Sequence, residues 1–439
     1  MSPDQNMSER LSRVGSGTAM GNLFRSFWLP AALSAEVADP DGRPLRLRIL
    51  GEDLVAFRDS LGRIGILSAY CPHRLAPLFL GRNEDCGLRC VYHGWKFDFE
   101  GRCMDVPNVE AGNAEGLKQR VSVRAYPARE AGGLVWVYMG PSGELPELPR
   151  FEWLELPEGH VHVSRWVQRT NWSQGMEGEI DSSHVSFLHT PPDPRFASPV
   201  IKYATDPAPV IFLRETDYGF YYGARRRYEG HYYWRITQWL APMWSCIPPA
   251  LESFAGNGRA WVPIDDQNVT SFNYWYRPDR PWSEEELADI ESGASFPPLR
   301  EKGTLELPHG YVIDTFLPLA NKRNDYLFDR ATQKTSSFSG VFGVNSQDRA
   351  LQEYMPSIDP ERPGIVDRAG EHLVASDRVV VAARRRLLKL AQALEQGTPP
   401  AMAANGELYA VRAVTKMSQT DDFDAFLAEV AHELRVPDR

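Results

Sequence analysis

Residues 71–95 of the chain read CPHRLAPLFLGRNEDCGLRCVYHGW, and the expected fold follows from this stretch. Cys71 and His73 are followed, after sixteen residues, by Cys90 and His93, so each of two short segments supplies one cysteine and one histidine. Two thiolates and two imidazoles suit tetrahedral zinc, or a [2Fe–2S] cluster with cysteines on one iron and histidines on the other. Zinc fingers pair cysteine with cysteine and histidine with histidine, whereas each segment here mixes the two. The spacing therefore favours two loops that hold a binuclear iron–sulfur cluster.

Short apolar runs separated by turns surround this stretch, for example LRLRIL at 45–50 and GLVWVY at 133–138. Such runs, bounded by glycine and aspartate, predict strands. We therefore expect a small all-β domain over residues 45–140, preceded by an arm and a helix in 1–44. A stretch rich in proline and glycine follows, and residues 151–439 form the second domain.

The second domain mixes both kinds of periodicity. Aromatic, strand-like segments occur at 212–228, 232–240 and 269–276, whereas 171–190 and 376–394 have apolar residues at helical spacing. The predicted fold class is α+β, in which an N-terminal all-β [2Fe–2S] domain precedes an α+β domain with an antiparallel sheet covered by helices.

Composition excludes several classes of function. The chain of 439 residues carries 48 Lys and Arg against 58 Asp and Glu, a net charge of −10. An acidic chain is poorly suited to nucleic acid or to an anionic membrane surface. It contains no apolar run long enough to span a bilayer and no secretory signal pattern. Cys86, Cys103 and Cys246 lie outside the metal motif and are expected to be buried free thiols, so we predict a cytoplasmic protein.

A second constellation lies in the helical stretch 171–190. Asp181, His184 and His189 form the pattern D-x₂-H-x₄-H. Asp181 and His184 share a helix face, but His189 converges with His184 only if the helix is distorted or ends near Phe187. Two histidines and one carboxylate form the facial triad of non-haem Fe(II) oxygenases. An electron-donating cluster beside an oxygen-activating iron would make a coherent pair of sites.

The two motifs together, with the following Gly94-Trp95, resemble the Rieske non-haem iron ring-hydroxylating oxygenases, specifically their catalytic α subunit. The resemblance covers essentially the whole chain, and residues 13–37 and 347–388 are similar to the phthalate dioxygenase branch. It implies that the two cysteines of the first motif bind the inner iron and its two histidines, His73 and His93, bind the outer iron.

The resemblance also implies roles for two acidic residues. It places the third ligand of the mononuclear iron at Asp348, with Glu353 as the nearest alternative. It makes Asp181 a bridge that joins His93 of one chain to His184 of its neighbour, with Glu177 and Glu179 as nearby alternatives. Such a bridge requires a closed ring, for which the family uses a homotrimer, here either alone or stacked as a hexamer of two trimers.

For the substrate, the segment 212–239 combines aromatic residues with arginines that could grip a carboxylate, and the candidates are Arg225, Arg227 and Arg235. Members of this branch mostly oxidise aromatic carboxylates. The sequence leaves open ring dihydroxylation and hydroxylation of a methoxy carbon, which leaves as formaldehyde. The chain lacks a complete nicotinamide-binding motif, so O₂ would be used with electrons from NADH that arrive through a separate reductase. An electron-transfer protein with a non-catalytic second domain is the alternative from another class.

Overall fold

The computed structural model describes residues 3–437 except 142, 194, 196–205, 251–254 and 360–363. Within these residues, no helix combines the length and the apolar character that crossing a membrane would need.

The N-terminal segment contains more regular structure than the arm and single helix predicted for residues 1–44. Helix α1 (Pro3–Ser12) and helix α2 (Ala19–Arg25) precede strand β1 (Trp28–Leu33). The apolar run 21–29, which has helical spacing, is thus split, because α2 ends at Arg25 and the chain then pairs with another strand. Pro30 is tolerated in β1 because the register shifts beside it, between Pro30 and Ala32.

The all-β domain is built from three small antiparallel sheets. Their strand orders are β2-β3-β4-β9, β5-β6-β7-β8 and β1-β11-β10. Strand β2 reads LRLRI, with its leucines and isoleucine buried and its arginines half-buried, as a strand with one core face requires. The strands are β2 Leu45–Ile49, β3 Glu52–Arg58, β4 Ile64–Ser68, β5 Arg82–Glu84, β6 Gly87–Arg89, β7 Lys96–Phe97, β8 Cys103–Asp105, β9 Ala125–Tyr126, β10 Ala128–Ala131 and β11 Leu134–Tyr138, with helix α3 at Ala111–Lys118.

The second domain contains a large antiparallel sheet in the order β12-β18-β17-β16-β15-β14-β13, with β21 also paired to β15. A separate hairpin joins β19 and β20. The predicted run 212–228 is two strands that turn at residues 216–218. The strands are β12 Val161–Gln168, β13 Val210–Glu215, β14 Gly219–Tyr228, β15 His231–Leu240, β16 Trp244–Ile247, β17 Gly256–Pro263, β18 Val269–Tyr276, β19 Arg300–Glu306, β20 Val312–Pro318 and β21 Val414–Ser418.

Helices cover both faces of this sheet. The first of them packs on β16 and β17, and the long amphipathic helix predicted near the C-terminus packs on β13 and β14. The last helix packs on the opposite face, where Phe426 stacks on Trp234 at 4.7 Å between ring centroids. The helices are α4 Trp172–Ile180, α5 Glu284–Glu291, α6 Val344–Gln352, α7 Arg378–Glu395, α8 Ala401–Ala404 and α9 Phe423–Val430. The α+β fold class is confirmed.

The two largest clusters of buried apolar side chains among the described residues lie in different parts of the molecule. The larger one is continuous from the N-terminal helices through β1, β2 and β11 to the large sheet and α7, so the all-β part shares a core with the second domain. The smaller one lies beneath the cysteine–histidine loops and includes Cys71, Cys90 and Trp95. Burial of apolar surface holds these loops on a base of their own.

Candidate functional site

The two cysteine–histidine segments form loops of the same backbone shape. In the first, the N–H of Leu75 donates to the carbonyl of Cys71 at 2.9 Å; in the second, the N–H of Gly94 donates to that of Cys90 at 2.9 Å. Leu75 and Gly94 both have positive φ, 55° and 78°. A side chain at position 94 would meet Pro107, so this loop requires its glycine.

The loops bring the four predicted cluster ligands together as two pairs. The thiol of Cys90 neighbours that of Cys71 and contributes to the raised pKa of Cys71, and the ring centroids of His73 and His93 lie 4.4 Å apart. Among the described residues, no three of these four offer ligand atoms that all lie within 4.8 Å of one another, as a single tetrahedral zinc would require. The arrangement fits a binuclear cluster better than a single zinc ion.

An orphaned polar atom supports the same fit. Nδ1 of His73 is buried and has no hydrogen-bond partner among the described residues, although its ring stacks on Trp95 at 4.5 Å. Burial raises the pKa of Cys71 to about 11, while the backbone N–H groups of His73 and Arg74 donate to its sulfur and oppose that shift. A buried nitrogen and a buried thiol that both lack a charge partner are what a metal cluster would satisfy.

The remaining cysteines are free thiols, as predicted. Cys246 is buried, and burial raises its pKa to about 12. Cys86 and Cys103 are half-buried rather than buried, because Cys86 lies in the turn between β5 and β6 and Cys103 in the short strand β8.

The second constellation lies where a helix ends. Helix α4 stops at Ile180, and Asp181 has extended backbone with φ −79° and ψ 117°. A single 3₁₀ turn at His184–Ser186 follows. The predicted break therefore occurs, but before His184 rather than near Phe187. It lets His184 and His189 approach although their spacing does not share a helix face.

Asp348 completes a triangle with the two histidines. Nε2 of His184 lies 3.1 Å from Nε2 of His189, and these atoms lie 3.6 and 3.2 Å from Oδ1 of Asp348. Ligands about 2.1 Å from one ion and at right angles would be about 3.0 Å apart. Among the described residues, this is the one group of three or more with the spacing of a single metal site. The donor set, two imidazoles and a carboxylate, suits Fe(II).

Asp181 supports His184 and does not belong to the triangle. Its Oδ2 accepts from Nδ1 of His184 at 3.0 Å, and Oδ1 accepts from the N–H of Ser183 at 2.7 Å. Burial of Asp181 opposes its ionisation, but the hydrogen bond and charge of His184 hold the pKa of Asp181 below its ordinary value. A carboxylate that accepts from Nδ1 leaves Nε2 of the histidine free to face a metal.

The alternative acidic residues are all engaged elsewhere. Glu353 accepts from the N–H of Arg169 and from the hydroxyl of Tyr326, at 3.2 and 2.6 Å. Glu177 pairs with two buried arginines of the C-terminal region, and Glu179 pairs with Arg259. Their geometry favours Asp348 as the ligand and Asp181 as the residue beside His184.

Strand β14 holds the loop that carries Asp181 and His184 in place through two residues that the sequence reasoning missed. The hydroxyl of Tyr222 donates to the carbonyl of Ile180 at 2.7 Å. The guanidinium of Arg226, which is fully buried, donates to the carbonyl and hydroxyl of Ser182 and to the hydroxyl of Ser186. The signal was present, because positions 222 and 226 share one face of a strand.

A cavity of about 450 Å³ opens beside the triangle. His184, His189 and Asp348 lie at its wall, and Trp275 and Phe296 supply aromatic surface. Arg259 also lines it, but it is paired with Glu179 at 2.5 Å and stacked on Phe296. An apolar cavity with a few polar groups and a metal at one wall is the usual form of a small-molecule site.

The structure places the three predicted arginines in different surroundings. Arg235 lines the cavity and donates to the carbonyl of Pro248 at 2.6 Å. Arg225 lies on the opposite face of the sheet, over the rings of Phe212 and Tyr232, and Arg227 is exposed. The interpretation of Arg225 and Arg227 as substrate contacts is corrected, because alternate residues of β14 face away from the cavity.

Comparison with known proteins covers nearly the whole chain. Residues 27–127 match the model of the Rieske [2Fe-2S] domain, and residues 137–426 match the family described as LigXa C-terminal domain like. The second match begins within β11, whose buried side chains belong to the core that the two domains share.

Individual relatives agree with this result. The chain is 40% identical over 411 residues to the 3-chlorobenzoate-3,4-dioxygenase oxygenase subunit of Comamonas testosteroni, covering 90% of each. It is 37% identical over 412 residues to the phthalate 4,5-dioxygenase oxygenase subunit of Pseudomonas putida, covering 90% of this chain and 88% of that one.

The crystal structure of dicamba monooxygenase bound to dicamba has the same fold, with a TM-score of 0.55, 17% identity, and coverage of 85% of this chain and 98% of that one. The paired cysteine–histidine loops, the triangle beside the cavity and these matches lead to one conclusion. The chain belongs to the Rieske aromatic ring-hydroxylating oxygenases, as an oxygenase α subunit and the terminal component of such a system.

Proposed function

We propose that this oxygenase subunit hydroxylates an aromatic carboxylate, with dihydroxylation of a phthalate-like ring as the reaction. One observation carries the proposal: the cavity that has His184, His189 and Asp348 at its wall also contains aromatic surface and the guanidinium of Arg235. An aromatic ring would lie against Trp275 and Phe296, while Arg235 would hold the carboxylate through charged hydrogen bonds. The ring carbons would then be oriented toward the triangle. The names of the two sequence relatives, both dioxygenases of benzoate-type acids, support the same substrate class.

The residues that would hold the metals are those whose geometry fits a cluster and a mononuclear ion. Cys71, His73, Cys90 and His93 would hold the [2Fe–2S] cluster, and the triangle would hold a mononuclear Fe(II). When bound, the cluster supplies single electrons and the mononuclear iron supplies the place where O₂ is activated. The protein's own part is to hold the imidazoles by their far nitrogens, to orient the ring, and to surround it with apolar wall that limits access of water.

Electrons would come from NADH or NADPH through a separate reductase. Both sequence relatives are named as oxygenase subunits, which supports a system of more than one component. The three cysteines outside the cluster loops, Cys86, Cys103 and Cys246, form no disulfide, which supports the proposed cytoplasmic location, where thiols stay reduced.

For the assembly we propose a homotrimer, alone or stacked as a hexamer. Apolar side chains around the cluster loops support an interface there, since Leu75, Val91 and Tyr92 are 73%, 57% and 54% exposed. A neighbouring protomer would cover them and bring its Asp181 to His93. Asp181 would then join a cluster histidine to His184 across the interface by hydrogen bonds.

Mixed oligomers test this assembly. A Cys90→Ala protomer would lack the cluster and a His184→Ala protomer would lack the mononuclear iron. We expect mixed oligomers of the two to recover part of the single-turnover activity, because a complete pair of sites forms wherever the cluster of a His184→Ala protomer faces the iron of a Cys90→Ala protomer. No recovery in verified mixed oligomers would mean that electrons travel within one chain.

Single turnover of the reduced protein with ¹⁸O₂ against a panel of aromatic acids tests the reaction itself. We expect a hydroxylated ring that carries ¹⁸O. Formaldehyde and a free phenol would show O-demethylation instead. An absence of product from a protein that holds about three irons per chain would overturn the proposal. About two irons per chain, with the cluster intact, would indicate an electron-transfer protein.

A further inference from the structure

The two histidines of the triangle are supported by different groups. Nδ1 of His184 faces the carboxylate of Asp181, whereas Nδ1 of His189 lies 2.7 Å from Oε1 of Gln347. Gln347 lies on α6, one residue before Asp348, and only 8% of it is exposed. The proposed reaction assigns no role to this side chain.

The orientation of the Gln347 amide follows from its surroundings. Its Nε2 lies 2.9 Å from the carbonyl oxygen of Val341 and 3.4 Å from the hydroxyl of Ser337. A carbonyl oxygen only accepts, so the NH₂ group of the amide must face Val341. The amide oxygen therefore faces His189 and can only accept from it.

The orientation of the Gln347 amide also determines which ring nitrogen of His189 faces Asp348 without a proton. Because the amide oxygen accepts, Nδ1 of His189 must carry the proton, and Nε2 presents its lone pair toward Asp348, 3.2 Å away. The backbone carbonyl of Val341 thus selects, through the amide of Gln347, the neutral tautomer of His189 that can bind a metal.

The start of α6 makes this arrangement rigid. Gly343 precedes the helix with φ +82°, and a side chain there would lie 2.2 Å from the carbonyl oxygen of Gly293. The N–H of Gln347 donates to the carbonyl of Gly343 at 3.0 Å. The same first turn of α6 therefore positions both Gln347 and Asp348.

We propose that Gln347 is a positioning residue that selects the tautomer of His189 and sets the affinity of the triangle for its metal. The inference rests on the proposed mononuclear site. Since Gln347 is a neutral acceptor and Asp181 a charged one, the two histidines would donate unequally to the ion, with His184 the more basic ligand.

The test measures metal binding rather than turnover. The mononuclear metal is removed from the holoprotein with a chelator while the cluster is retained, and the Kd for Co(II) is measured by equilibrium dialysis. With the cluster oxidised, the EPR spectrum of bound Co(II) reports its ligand field. The variants are Gln347→Leu, which has no acceptor, Gln347→Asn, whose amide is one methylene too short to reach His189, and Gln347→Glu, which keeps an acceptor and adds charge.

We expect Gln347→Leu and Gln347→Asn to bind Co(II) about 10- to 100-fold more weakly, with an altered EPR spectrum. Gln347→Glu should recover part of the affinity lost in Gln347→Leu, because a carboxylate accepts from Nδ1, although its second oxygen cannot donate to the carbonyl of Val341. Gln352→Leu is the matched control, since Gln352 is equally buried on the same helix but bonds Gln168 instead of a histidine. Its Co(II) affinity should be unchanged.

Two results separate the possible failures. If wild-type protein binds no Co(II) beyond the cluster, the mononuclear site itself is wrong and the proposed function falls with it. If the wild type binds but the Leu and Asn variants bind equally well, or Gln347→Glu binds Co(II) no better than Gln347→Leu, the site stands and the role of Gln347 is overturned. The absorbance spectrum of the cluster shows in each variant whether the fold is intact.

Discussion

The two proposed metal sites of this protein are built in opposite ways. The cluster site takes its four side chains from 23 consecutive residues, Cys71 to His93, on two loops of the same backbone shape with an apolar base of their own. The mononuclear site takes two histidines from the loop after α4 and its carboxylate from α6, and the His189–Gln347 contact joins residues 158 positions apart. One site is local, whereas the other exists only when distant segments pack.

This contrast shows where each site is vulnerable. Loops held by their own turns keep their shape when the rest of the protein changes, whereas a site assembled between elements depends on every contact that sets the spacing of those elements. The contacts of Tyr222, Arg226 and Gln347 with the mononuclear site are of this second kind. Loss of a metal ligand should therefore be most severe, and loss of a supporting contact or of a cavity residue should be milder.

Replacing Cys90 by Ala should abolish the visible absorbance of the cluster and all turnover that depends on reductase. A thiolate ligand has no substitute in the loop. Iron or Co(II) binding at the mononuclear site should survive, because the two sites share no ligand. Cys86→Ala is the matched control and should keep the full spectrum. A normal cluster spectrum in Cys90→Ala would refute the ligand assignment.

Replacing Asp348 by Ala should remove the mononuclear iron and leave the cluster spectrum unchanged, because two imidazoles alone hold Fe(II) weakly. Iron content and the cluster spectrum are measured on the same sample. Glu353→Gln serves for comparison, since Glu353 bonds Arg169 and Tyr326 and should not change the iron content. If Glu353→Gln lost the iron and Asp348→Ala kept it, Glu353 rather than Asp348 would be the third ligand.

Replacing Arg226 by Met tests whether the second site depends on its packing. The change removes several charged hydrogen bonds to Ser182 and Ser186, and we expect the free energy of unfolding to fall by about 2–4 kcal/mol. The Kd for Co(II) should rise as well, because the 181–186 loop loses its support. Arg227→Met, at an exposed neighbouring position, should change stability by less than about 0.5 kcal/mol. Equal effects of the two variants would contradict the role of Arg226.

Replacing Arg235 by Gln tests the substrate end of the cavity. A charged hydrogen bond of about 1.5–3 kcal/mol is lost, so KM for an aromatic acid should rise about 10- to 100-fold. Both metal sites should remain filled. Arg225→Gln, on the other face of the sheet, should leave KM unchanged. A raised KM in Arg225→Gln only would mean that the substrate binds on the α9 side.

The local site could be predicted from the amino-acid sequence. The mixed Cys–His spacing separates a binuclear cluster from zinc without tertiary information, because each loop carries its own pair of ligands. Strand alternation and helical spacing likewise predicted the α+β class, the C-terminal helix and the segments that contain β13, β14, β15 and β18 of the large sheet. They erred at Trp28 and Leu29, the end of the apolar run 21–29, where pairing with β11 overrides the helical spacing.

The arginines mark the limit of sequence reasoning. Alternation places Arg225 and Arg227 on one face of β14 and Arg226 on the other, but it does not say which face carries the cavity. That choice depends on the pairing of β14 with β15, where Ala224 lies opposite Arg235, and on α4 packing over one side. No spacing along the chain contains that information.

Features that follow from neighbours in the chain were thus fixed by the order of residues: the cluster motif, the D-x₂-H-x₄-H segment and the resemblance that drew attention to Asp348. The remaining features required the packed molecule. Packing brought Asp348 within 3.6 Å of both histidines, engaged Glu353 in other bonds, and placed Arg235 rather than Arg225 at the cavity. The cause is that a side chain's neighbours across elements are set by packing and strand register, which many distant residues determine together.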